Sequence, residues 1–521
     1  MSTGFRLTEL RNGGGRAKLK VQGMKLTDLL SGVELSQVTG PTDVDIRSVA
    51  YDSRKVTSGN LFFALHGEKL DGMAFLDDAL SRGVSAVAST RARPESVPER
   101  LTWVELRQGE ERRDLARVAA NWYGHPAQEL KLIGVTGTNG KTTTTYLVDS
   151  ILRSAGHTTG LIGTTGYRTP KGSRTAVNTT PESLDLQQML KEVRDAGGTH
   201  VVLEASSHAL AMERLWGCHF AVAVFTNLTR DHLDYHKTFE DYFAAKRRLF
   251  EGTGAGAPDV AVINRDDPSS VSLDQMAQRT LTYGLGGSAD LMAKGLALGF
   301  QGLTFTAETP VGNIQVRSSL VGRINVYNIL AAVGVGIGLG IPAAKISEGI
   351  AGLDLVPGRF QTIDEGQPFL VVVDYAHTDD ALRNLIQTAR ELSPQARIIT
   401  VFGAGGERDR TKRPLMGEVA GSLSDVVVLT SDNPRSEDPL RIINDVVVGL
   451  QRVNATYRIE PNRELALLTA LEEAHPGDIV LLAGKGHETY QVLAKGTIEF
   501  DDREKARGIL RRKGYSRVPA R

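Results

Sequence analysis

A glycine-rich stretch at residues 134–145 combines residue types that bind phosphate, since it reads Gly-Val-Thr-Gly-Thr-Asn-Gly-Lys-Thr-Thr-Thr-Thr. It follows a predicted strand at 131–133 and opens a predicted amphipathic helix. The backbone N–H groups of such a turn and the positive end of the helix hold phosphate, with Lys141 on the terminal phosphates and Thr142 on Mg²⁺. The ordinary P-loop pattern has glycine where Val135 stands, and a chance glycine-rich turn is the alternative interpretation. We predict a nucleoside triphosphate site.

A carboxylate and an imidazole follow another predicted strand. Glu204 closes the apolar run at 201–203, and His208 lies four residues further along the chain. Because open parallel sheets bind ligands at the carboxyl ends of their strands, both side chains are suitable Mg²⁺ ligands, directly or through water. The alternative is a helix N-cap at Ser206 or Ser207 beside a satisfied histidine.

Two more segments carry candidate chemistry. Residues 225–234, Phe-Thr-Asn-Leu-Thr-Arg-Asp-His-Leu-Asp, place polar side chains directly after a buried strand. Aspartate caps and solvated charges explain only part of that cluster. A helix is predicted at 242–250, and its periodicity alone places Lys246 on the exposed surface. The sequence offers no Ser-His-Asp or Cys-His arrangement for a protein nucleophile.

These residues need a scaffold of buried parallel strands. Short, apolar, β-branched-rich runs, which are typical of strands covered on both faces, occur at 201–203, 222–225, 260–263, 369–373, 398–402, 426–429 and 479–482. Residues 283–318 predict a small antiparallel insertion. The predicted fold is α/β, with a small N-terminal α/β domain, a central P-loop-type parallel sheet and a C-terminal Rossmann-like parallel sheet. The predicted bounds are 1–23 for a disordered leader, then 24–109, 110–356 and 357–521 for the three domains.

Composition excludes several classes of protein. The 61 Lys and Arg residues balance the 61 Asp and Glu residues, which argues against a nucleic-acid-coating protein. Cys218 is the single cysteine, so no intramolecular disulfide forms and a reducing compartment is indicated. No apolar run reaches the roughly 18 residues of a membrane span. Residues 1–23 are basic without the apolar segment of a secretion signal, so a leader is favoured over an organelle transit peptide. We expect a cytoplasmic protein without membrane insertion.

Four motifs, taken in order, resemble the Mur ligases, which are cytoplasmic amide-forming synthetases of peptidoglycan precursors. The motifs are Gly-Thr-Asn-Gly-Lys-Thr-Thr at 137–143, Glu-x-Ser-Ser-His at 204–208, Asn-x-x-x-Asp-His-Leu-Asp at 227–234 and Ala-Ala-Lys at 244–246. The resemblance runs from about residue 45 to the C-terminus. It implies ATP and two Mg²⁺ ions, one held by Thr142 and Glu204 and the other by His208 and Lys246. In that family the lysine matching Lys246 is carbamylated by CO₂, which turns an ammonium into an anionic oxygen ligand.

The resemblance also implies which residues bind each substrate. Catalysis is assigned to Lys141, Glu204, His208 and Lys246. ATP binding is assigned to Gly137, Thr138, Asn139, Gly140, Lys141, Thr142, Thr143, Asn325, Arg359, Asp374 and His377. Binding of a UDP-sugar peptide is assigned to Ser53, His66, Gly67, Asn178, Thr179, Thr180, Ser206 and Arg214. Met212 departs from the family pattern, because some relatives have glutamine there, so one polar substrate contact differs.

The Asp-Asn-Pro-Arg segment at 432–435, hereafter the DNPR turn, resembles that of family members which add meso-diaminopimelate to UDP-N-acetylmuramoyl-L-alanyl-D-glutamate. Diaminopimelate carries a second ammonium–carboxylate centre that lysine lacks, and a guanidinium pairs with a carboxylate through two parallel hydrogen bonds. Arg435, helped by Arg408, would clamp the distal carboxylate, and Glu488 would accept the ammonium. Taken alone, the segment predicts only a turn. The implied amino-acid-binding residues are Arg408, Asp432, Asn433, Pro434, Arg435, Gly484 and Glu488.

The expected reaction is stepwise. The D-glutamate side-chain carboxylate attacks the γ-phosphorus of ATP, and the amine of diaminopimelate then displaces phosphate from the acyl phosphate. We expect the C-terminal domain to close before chemistry, and we expect a monomer whose partners are its small-molecule substrates. Three alternatives stay open: the same ligase with L-lysine, a ligase like folylpolyglutamate synthetase, and a nucleotide-dependent scaffold protein. The segment before the phosphate loop and the DNPR turn argue against the folate ligase.

Overall fold

The computed structural model describes residues 23–67 and 70–516, so the predicted leader, apart from Gly23, lies outside the described residues. The described chain builds three main sheets in succession, of five, eleven and six strands. Apolar cores lie on both faces of each sheet. The predicted α/β class, with a small N-terminal sheet, a central P-loop-type sheet and a C-terminal Rossmann-like sheet, is confirmed.

The N-terminal region carries the smallest of the three sheets. Its elements are β1 (Met24–Lys25), α1 (Leu26–Leu29), β2 (Leu35–Thr39), β3 (Asp45–Ile46), β4 (Ser48–Ala50), β5 (Asn60–Phe63), α2 (Leu76–Ser81), β6 (Ala86–Ser89), β7 (Thr102–Leu106) and α3 (Glu111–Tyr123). The strand order is β2-β7-β6-β5-β4, and β1 pairs separately with β3. Helix α3 buries Leu115, Val118 and Trp122 against this sheet. The predicted boundary after residue 109 assigns α3 to the central domain, and that boundary stays a prediction because the same core also contains Leu184 of the central region.

The central region forms the eleven-stranded sheet. Its strands are β8 (Lys131–Thr136), β9 (Thr159–Gly163), β10 (Gly166–Thr169), β11 (Gly172–Arg174), β12 (His200–Glu204), β13 (Phe220–Phe225), β14 (Val260–Asn264), β15 (Arg279–Gly284), β16 (Leu291–Gly299), β17 (Gly302–Glu308) and β18 (Ile314–Ser318). The order is β11-β10-β9-β12-β8-β13-β14-β15-β16-β17-β18, and every pair from β9 to β16 is parallel. The predicted buried strands are therefore confirmed.

One prediction about this sheet is wrong in part. Residues 283–318 do contain antiparallel strands, because β16, β17 and β18 form a meander. They are not a separate insertion, since β15 pairs in parallel with β16 and the meander extends the central sheet. The alternating apolar residues of the meander, including Phe305, Ile314 and Val316, belong to the main apolar core.

Helices cover both faces of the central sheet. They are α4 (Lys141–Ser154), α5 (Ser183–Asp195), α6 (Ser207–Ala211), α7 (Leu233–His236), α8 (Phe239–Glu251), α9 (Arg323–Gly338) and α10 (Ala343–Ala351). Helices α4, α9 and α10 contribute to the core on one face, and α5 and α8 to the core on the other. The second half of α9 lies within an apolar run at 329–341 and is buried as far as Ile337.

The C-terminal region forms a six-stranded sheet with an added hairpin. Its elements are β19 (Gln361–Ile363), β20 (Leu370–Asp374), α11 (Asp379–Leu392), β21 (Ile398–Phe402), α12 (Lys412–Leu423), β22 (Val426–Leu429), α13 (Pro439–Arg452), β23 (Tyr457–Ile459), α14 (Arg463–Glu473), β24 (Ile479–Ala483), β25 (Tyr490–Leu493), β26 (Gly496–Glu499) and α15 (Asp502–Arg512). The order is β19-β20-β24-β21-β22-β23, and only β19 is antiparallel. Strands β25 and β26 form a separate two-stranded sheet.

Strand order brings the candidate residues together. Strands β12, β8 and β13 are neighbours in the middle of the central sheet and run in parallel. The loops that follow them, which contain residues 137–140, 205–206 and 226–232, therefore leave from the same edge of the sheet. Within the described residues, no helix has the length and apolar character needed to cross a lipid bilayer.

Candidate nucleotide and ligation site

The phosphate loop is shorter than the glycine-rich stretch suggests. Strand β8 continues to Thr136, so Val135 lies inside the strand and the loop proper is residues 137–140. Gly137 and Gly140 have φ values of 141° and 88°, in the region that favours glycine. A Cβ atom on Gly140 would lie 2.4 Å from Oδ1 of Asn328, and one on Gly137 would lie 1.8 Å from Oγ1 of Thr226. The loop backbone therefore needs glycine at both positions.

Lys141 begins α4 and folds back over the loop. Its Nζ atom donates hydrogen bonds to the carbonyl oxygens of Gly137 at 3.0 Å and Thr138 at 2.8 Å. Burial lowers the pKa of Lys141, and the carboxylates of Glu204 and Asp231 oppose that shift. The amine is thus held at the mouth of the loop, where the terminal phosphates of a nucleotide would lie.

Glu204 is the most connected acidic side chain of the site and is only 1% exposed. Its Oε1 accepts hydrogen bonds from Oγ1 of Thr142 and from the backbone N–H of Thr164, both at 2.9 Å. Its Oε2 accepts a third from Oγ1 of Thr164 at 3.0 Å. The adjacent hydroxyl and carboxylate oxygens of Thr142 and Glu204 fit the predicted first Mg²⁺. The sequence prediction missed Thr164, although a polar residue directly after β9 was a usable signal.

Lys246 is buried, at 1% exposure, and not on the surface as the periodicity of its helix predicts. Helix α8 packs under the phosphate loop, so this face of the helix is covered as well. The Nζ atom donates to the carbonyl oxygen of Gly137 at 2.7 Å and lies 4.3 Å from the ring centroid of Tyr242. Burial, and then the nearby Lys141, hold the pKa of Lys246 well below its ordinary value. The neutral amine so favoured is the form that reacts with CO₂, so the environment fits the predicted carbamate.

His208 lies in a cluster of rings at the same edge of the sheet. Its ring centroid is 4.4 Å from that of Tyr235 and 4.7 Å from that of His232. Burial lowers the pKa of His208, which favours the neutral imidazole that binds metal ions. Burial alone would raise the pKa of Asp231, but His232 and Lys412 hold it below its usual range.

The predicted helix cap at Ser206 is also present. Oγ of Ser206 accepts a hydrogen bond from the backbone N–H of Ala209 at 3.3 Å, at the start of α6. The same oxygen lies 3.0 Å from Oγ1 of Thr180. The Ser206 side chain therefore caps α6 and also contacts Thr180, another residue predicted to bind the UDP-sugar peptide.

Arg359 reaches the phosphate loop from the C-terminal region. Its Nη2 donates to Oγ1 of Thr142 at 3.0 Å, and its guanidinium lies 4.7 Å from the ring centroid of Tyr375. Its Nε is buried and has no hydrogen-bond partner within residues 23–67 and 70–516. A partly buried guanidinium whose buried Nε has no partner, placed beside a phosphate loop, is suited to an anionic ligand.

The other predicted C-terminal residues shape the loop after β20. Asp374 accepts hydrogen bonds from the backbone N–H groups of Phe360 at 2.7 Å and Ala376 at 2.8 Å, and burial raises its pKa. Nδ1 of His377 lies 2.8 Å from the carbonyl oxygen of Tyr375. The predicted nucleotide residues that line one common cleft are Thr138, Asn139, Gly140, Lys141, Thr142, Thr143, Asn325, Arg359, Asp374 and His377.

Direct contacts join the C-terminal region to the phosphate loop. Nδ2 of Asn139 donates to Oδ2 of Asp380 at 2.6 Å, and Oγ1 of Thr229 donates to the same oxygen at 3.3 Å. Lys412 lies 3.9 Å from Asp231. The sequence prediction missed Asp380 and Lys412, because they lie on α11 and α12, far along the chain from the loop.

The predicted UDP-sugar residues fall into two groups. Thr180 donates to the backbone oxygen of Glu204 at 2.6 Å and accepts at its own carbonyl from Arg214 at 3.0 Å; Asn178 and Thr179 precede it on the same loop. Nη2 of Arg214 also lies 3.4 Å from Sδ of Met212. Ser53, His66 and Gly67 belong to the N-terminal region, from which no described residue lines the cleft around the phosphate loop.

Predicted amino-acid residues Asp432, Asn433 and Glu488 meet in a second, charged cluster, which is called the acceptor pocket below. Lys485, which is fully buried, lies 3.2 Å from Oδ1 of Asp432, 3.1 Å from Oδ1 of Asn433 and 3.1 Å from Oε2 of Glu488. This lysine therefore joins the DNPR turn to the segment after β24 that contains Gly484. The prediction missed Lys485, although it lies inside the Gly-Lys-Gly-His-Glu motif at 484–488.

Arg435 has the left-handed backbone conformation, with φ 54°, and its Nη1 donates to the carbonyl oxygen of Gly406 at 2.6 Å. Burial, and then the nearby Arg408, lower the pKa of Arg435. Two guanidinium groups are thus held near each other, which is a favourable arrangement for a carboxylate. Pro434 is placed within the same turn.

The two pockets are adjacent. The ring of Tyr375 packs against Arg359 on one side, and its centroid lies 5.0 Å from the ring centroid of His487 on the other. Arg408 is close enough to His208 to depress the pKa of that imidazole. Substrates bound at the phosphate loop and at the DNPR turn would therefore lie next to each other.

Comparisons with known proteins agree with this geometry. Three family models match consecutive parts of the chain: "Mur ligase family, catalytic domain" matches residues 45–123, "Mur ligase middle domain" matches 135–336, and "Mur ligase, glutamate ligase domain" matches 358–486. A curated UDP-N-acetylmuramoyl-L-alanyl-D-glutamate--2,6-diaminopimelate ligase from Solibacter usitatus is 52% identical over 495 residues, which cover 94% of this chain and 99% of that protein.

Two further relatives carry the same name. The protein from Geobacillus thermodenitrificans is 45% identical over 493 residues, covering 94% of this chain and 99% of its own. A solved structure of a UDP-N-acetylmuramoyl-L-alanyl-D-glutamate--2,6-diaminopimelate ligase is 34% identical with a TM-score of 0.64, and covers 95% of this chain and 100% of that chain.

The need for glycine in the phosphate loop can be tested with a matched pair of variants. Gly140→Ala adds a Cβ atom that collides with Asn328, whereas Gly156→Ala has the same kind of backbone, with φ 86°, and no atom within 4 Å of the new Cβ. Both variants should lose roughly 1 kcal/mol of stability from the left-handed conformation. Only Gly140→Ala should weaken ATP binding measured by calorimetry, by about tenfold or more. Equal ATP affinities in the two variants would contradict this assignment.

Proposed function

The chain belongs to the Mur ligase family, whose members are ATP-dependent ligases, and on this premise we propose that it adds meso-diaminopimelate to UDP-N-acetylmuramoyl-L-alanyl-D-glutamate. The amide would form at the side-chain carboxylate of D-glutamate. The observation that carries the proposal is the charged pocket of Arg408, Arg435 and Glu488, which adjoins the phosphate cleft through Tyr375. The names of the curated relatives support the same substrates.

The proposed reaction has two bond exchanges. A carboxylate oxygen of the substrate attacks the γ-phosphorus, so that an O–P bond forms, the bond to the β-phosphate oxygen breaks and ADP leaves. The amine nitrogen then attacks the acyl carbon, so that a C–N bond forms and the amine loses a proton to solvent. The acyl C–O bond breaks, and inorganic phosphate leaves with the former carboxylate oxygen. No protein nucleophile takes part, so the work of the protein is positioning and charge compensation.

Residues of the phosphate loop compensate the charge of the nucleotide. Lys141 would turn from the loop carbonyls, which it contacts at 2.8 and 3.0 Å, to the terminal phosphates. Arg359, with its unpartnered Nε, would approach the same oxygens from the C-terminal region. Both groups lie in a buried site, where their interaction with phosphate is stronger than in water.

Two Mg²⁺ ions belong to the proposal. When bound, they would offset the negative charge of the phosphate and carboxylate oxygens. Thr142 and Glu204, whose oxygens are 2.9 Å apart, would hold the first ion. His208 and the carbamate of Lys246 would hold the second. Reaction of the neutral Lys246 amine with CO₂ would form an N–C bond, release one proton and leave an anion that suits this role.

The acceptor pocket supports the proposed choice of amino acid. Arg435 and Arg408 would bind the distal carboxylate of diaminopimelate, and Glu488 would accept its distal ammonium. L-Lysine, the alternative acceptor, lacks that carboxylate and would leave both guanidinium groups unpaired in a closed site. We also propose that the protein works as a cytoplasmic monomer on these small molecules.

Acceptor choice gives the first test of this function. With ATP, Mg²⁺ and the UDP-dipeptide, phosphate release should be at least 100-fold faster with meso-diaminopimelate than with L-lysine at equal subsaturating concentrations. The reason is that L-lysine would leave the guanidinium groups of Arg408 and Arg435 without a hydrogen-bond partner. The measurement is a coupled phosphate assay, with the product mass checked by mass spectrometry. Equal rates with the two amino acids would refute the acceptor assignment, and turnover only with a pteridine substrate would support the folate ligase.

The role of Lys246 gives the second test. Lys246→Ala should lower turnover by roughly 100-fold or more, since it removes an anionic ligand beside the phosphates. Added formate or acetate should restore part of the activity, because a small carboxylate can supply the missing oxygens. Arg247→Ala is the control. The side chain of Arg247, which is next to Lys246 in the chain, is exposed and pairs only with Glu251 among the contacts described. Full activity of Lys246→Ala without added acid would refute the metal role.

A further inference from the structure

The β25–β26 hairpin is fixed to the DNPR turn. Nε2 of Gln491 donates to the carbonyl oxygen of Asp432 at 2.6 Å, and the backbone N–H of Val492 donates to Oδ1 of Asn433 at 2.9 Å. The backbone N–H of Arg435 donates in return to the carbonyl oxygen of Val492 at 3.1 Å. The hairpin is separate from the six-stranded sheet, so these bonds hold it as a wall of the acceptor pocket.

Tyr490 is the first residue of this hairpin and stands at the pocket. Its ring centroid is 5.9 Å from Nζ of Lys485, the buried lysine that contacts Asp432 and Glu488. Burial, and then the charge of Glu488, raise the pKa of Tyr490, while Arg435 opposes the shift. The phenol is therefore protonated at neutral pH, and it lies within electrostatic reach of the groups proposed to bind both distal charges.

Packing alone does not account for this side chain. Tyr490 is 39% exposed and is not part of the apolar cores of the C-terminal region. Its neighbour Gln491 is buried and supplies the bond to the DNPR turn, so the anchoring of the hairpin does not need the tyrosine. An aromatic ring with a hydroxyl donor, placed within electrostatic reach of the Arg435 guanidinium and the Glu488 carboxylate, is suited to a zwitterionic ligand.

We propose that Tyr490 is a further specificity-determining residue, whose hydroxyl donates a hydrogen bond to the distal carboxylate of the amino-acid substrate. This inference rests on the proposed function. The two arginines supply charge, and the phenol supplies a neutral hydrogen-bond donor from the hairpin. An amino acid whose side chain ends in an ammonium alone offers no acceptor for that donor.

The test compares Tyr490→Phe with Ile498→Ala, a control on the same hairpin whose side chain is 45% exposed. Tyr490→Phe should raise KM for meso-diaminopimelate by roughly tenfold, the usual effect of one hydrogen bond to a charged group. It should leave kcat, KM for ATP and the low kcat/KM for L-lysine within about twofold of wild type. Ile498→Ala should leave all four quantities unchanged within the same limit.

Other results would contradict the proposed role of the Tyr490 hydroxyl. A Tyr490→Phe variant with wild-type KM for meso-diaminopimelate overturns the role of the hydroxyl while the proposed function stands. Parallel changes in both variants, or a raised KM for ATP, overturn it too, since they indicate a structural role of the hairpin. A wild-type enzyme that does not use meso-diaminopimelate defeats the proposed function, and this inference with it.

Discussion

Repulsion between a triphosphate and a carboxylate is the constraint on which the arrangement of this site depends. Both groups are anionic, and the proposed chemistry needs them in contact. Cationic side chains from separate parts of the chain meet that need: Lys141 lies at the start of α4, and Arg359 lies beyond the central sheet. Lys141 and Lys246 share the carbonyl oxygen of Gly137 as hydrogen-bond acceptor, at 3.0 and 2.7 Å. The phosphate loop thus gathers positive charge at the point where it is required.

That concentration of charge depends on two regions being brought together. The central sheet supplies the loops after β8, β12 and β13, whereas Arg359, Asp380 and Lys412 come from the C-terminal region. The bond from Asn139 to Asp380 and the bond from Arg359 to Thr142 hold the regions in contact. Tyr375 extends the contact toward the acceptor pocket, where Lys485 joins the DNPR turn to Glu488. The contacts between the two regions and the residues proposed to select the amino acid are therefore close together.

Much of the fold could be predicted because buried parallel strands have a distinctive composition. The apolar runs before Glu204 and before Asn227 are strands β12 and β13, and the candidate residues that follow them do meet at one edge. Features that depend on tertiary packing could not be predicted from the sequence. Helix periodicity cannot reveal that a loop covers Lys246, and local sequence cannot place Asp380, on α11, beside Asn139. Likewise the parallel pairing of β15 with β16 made an apparent insertion part of the central sheet.

Attack of the substrate carboxylate on the γ-phosphate within this cleft is the central step of the proposed reaction. The direct measurement is the fate of isotope in a UDP-dipeptide whose D-glutamate side-chain carboxylate carries ¹⁸O on both oxygens. After a complete turnover, mass analysis should find one ¹⁸O in the inorganic phosphate and the other in the amide product. Phosphate without ¹⁸O, released together with amide, would contradict the account.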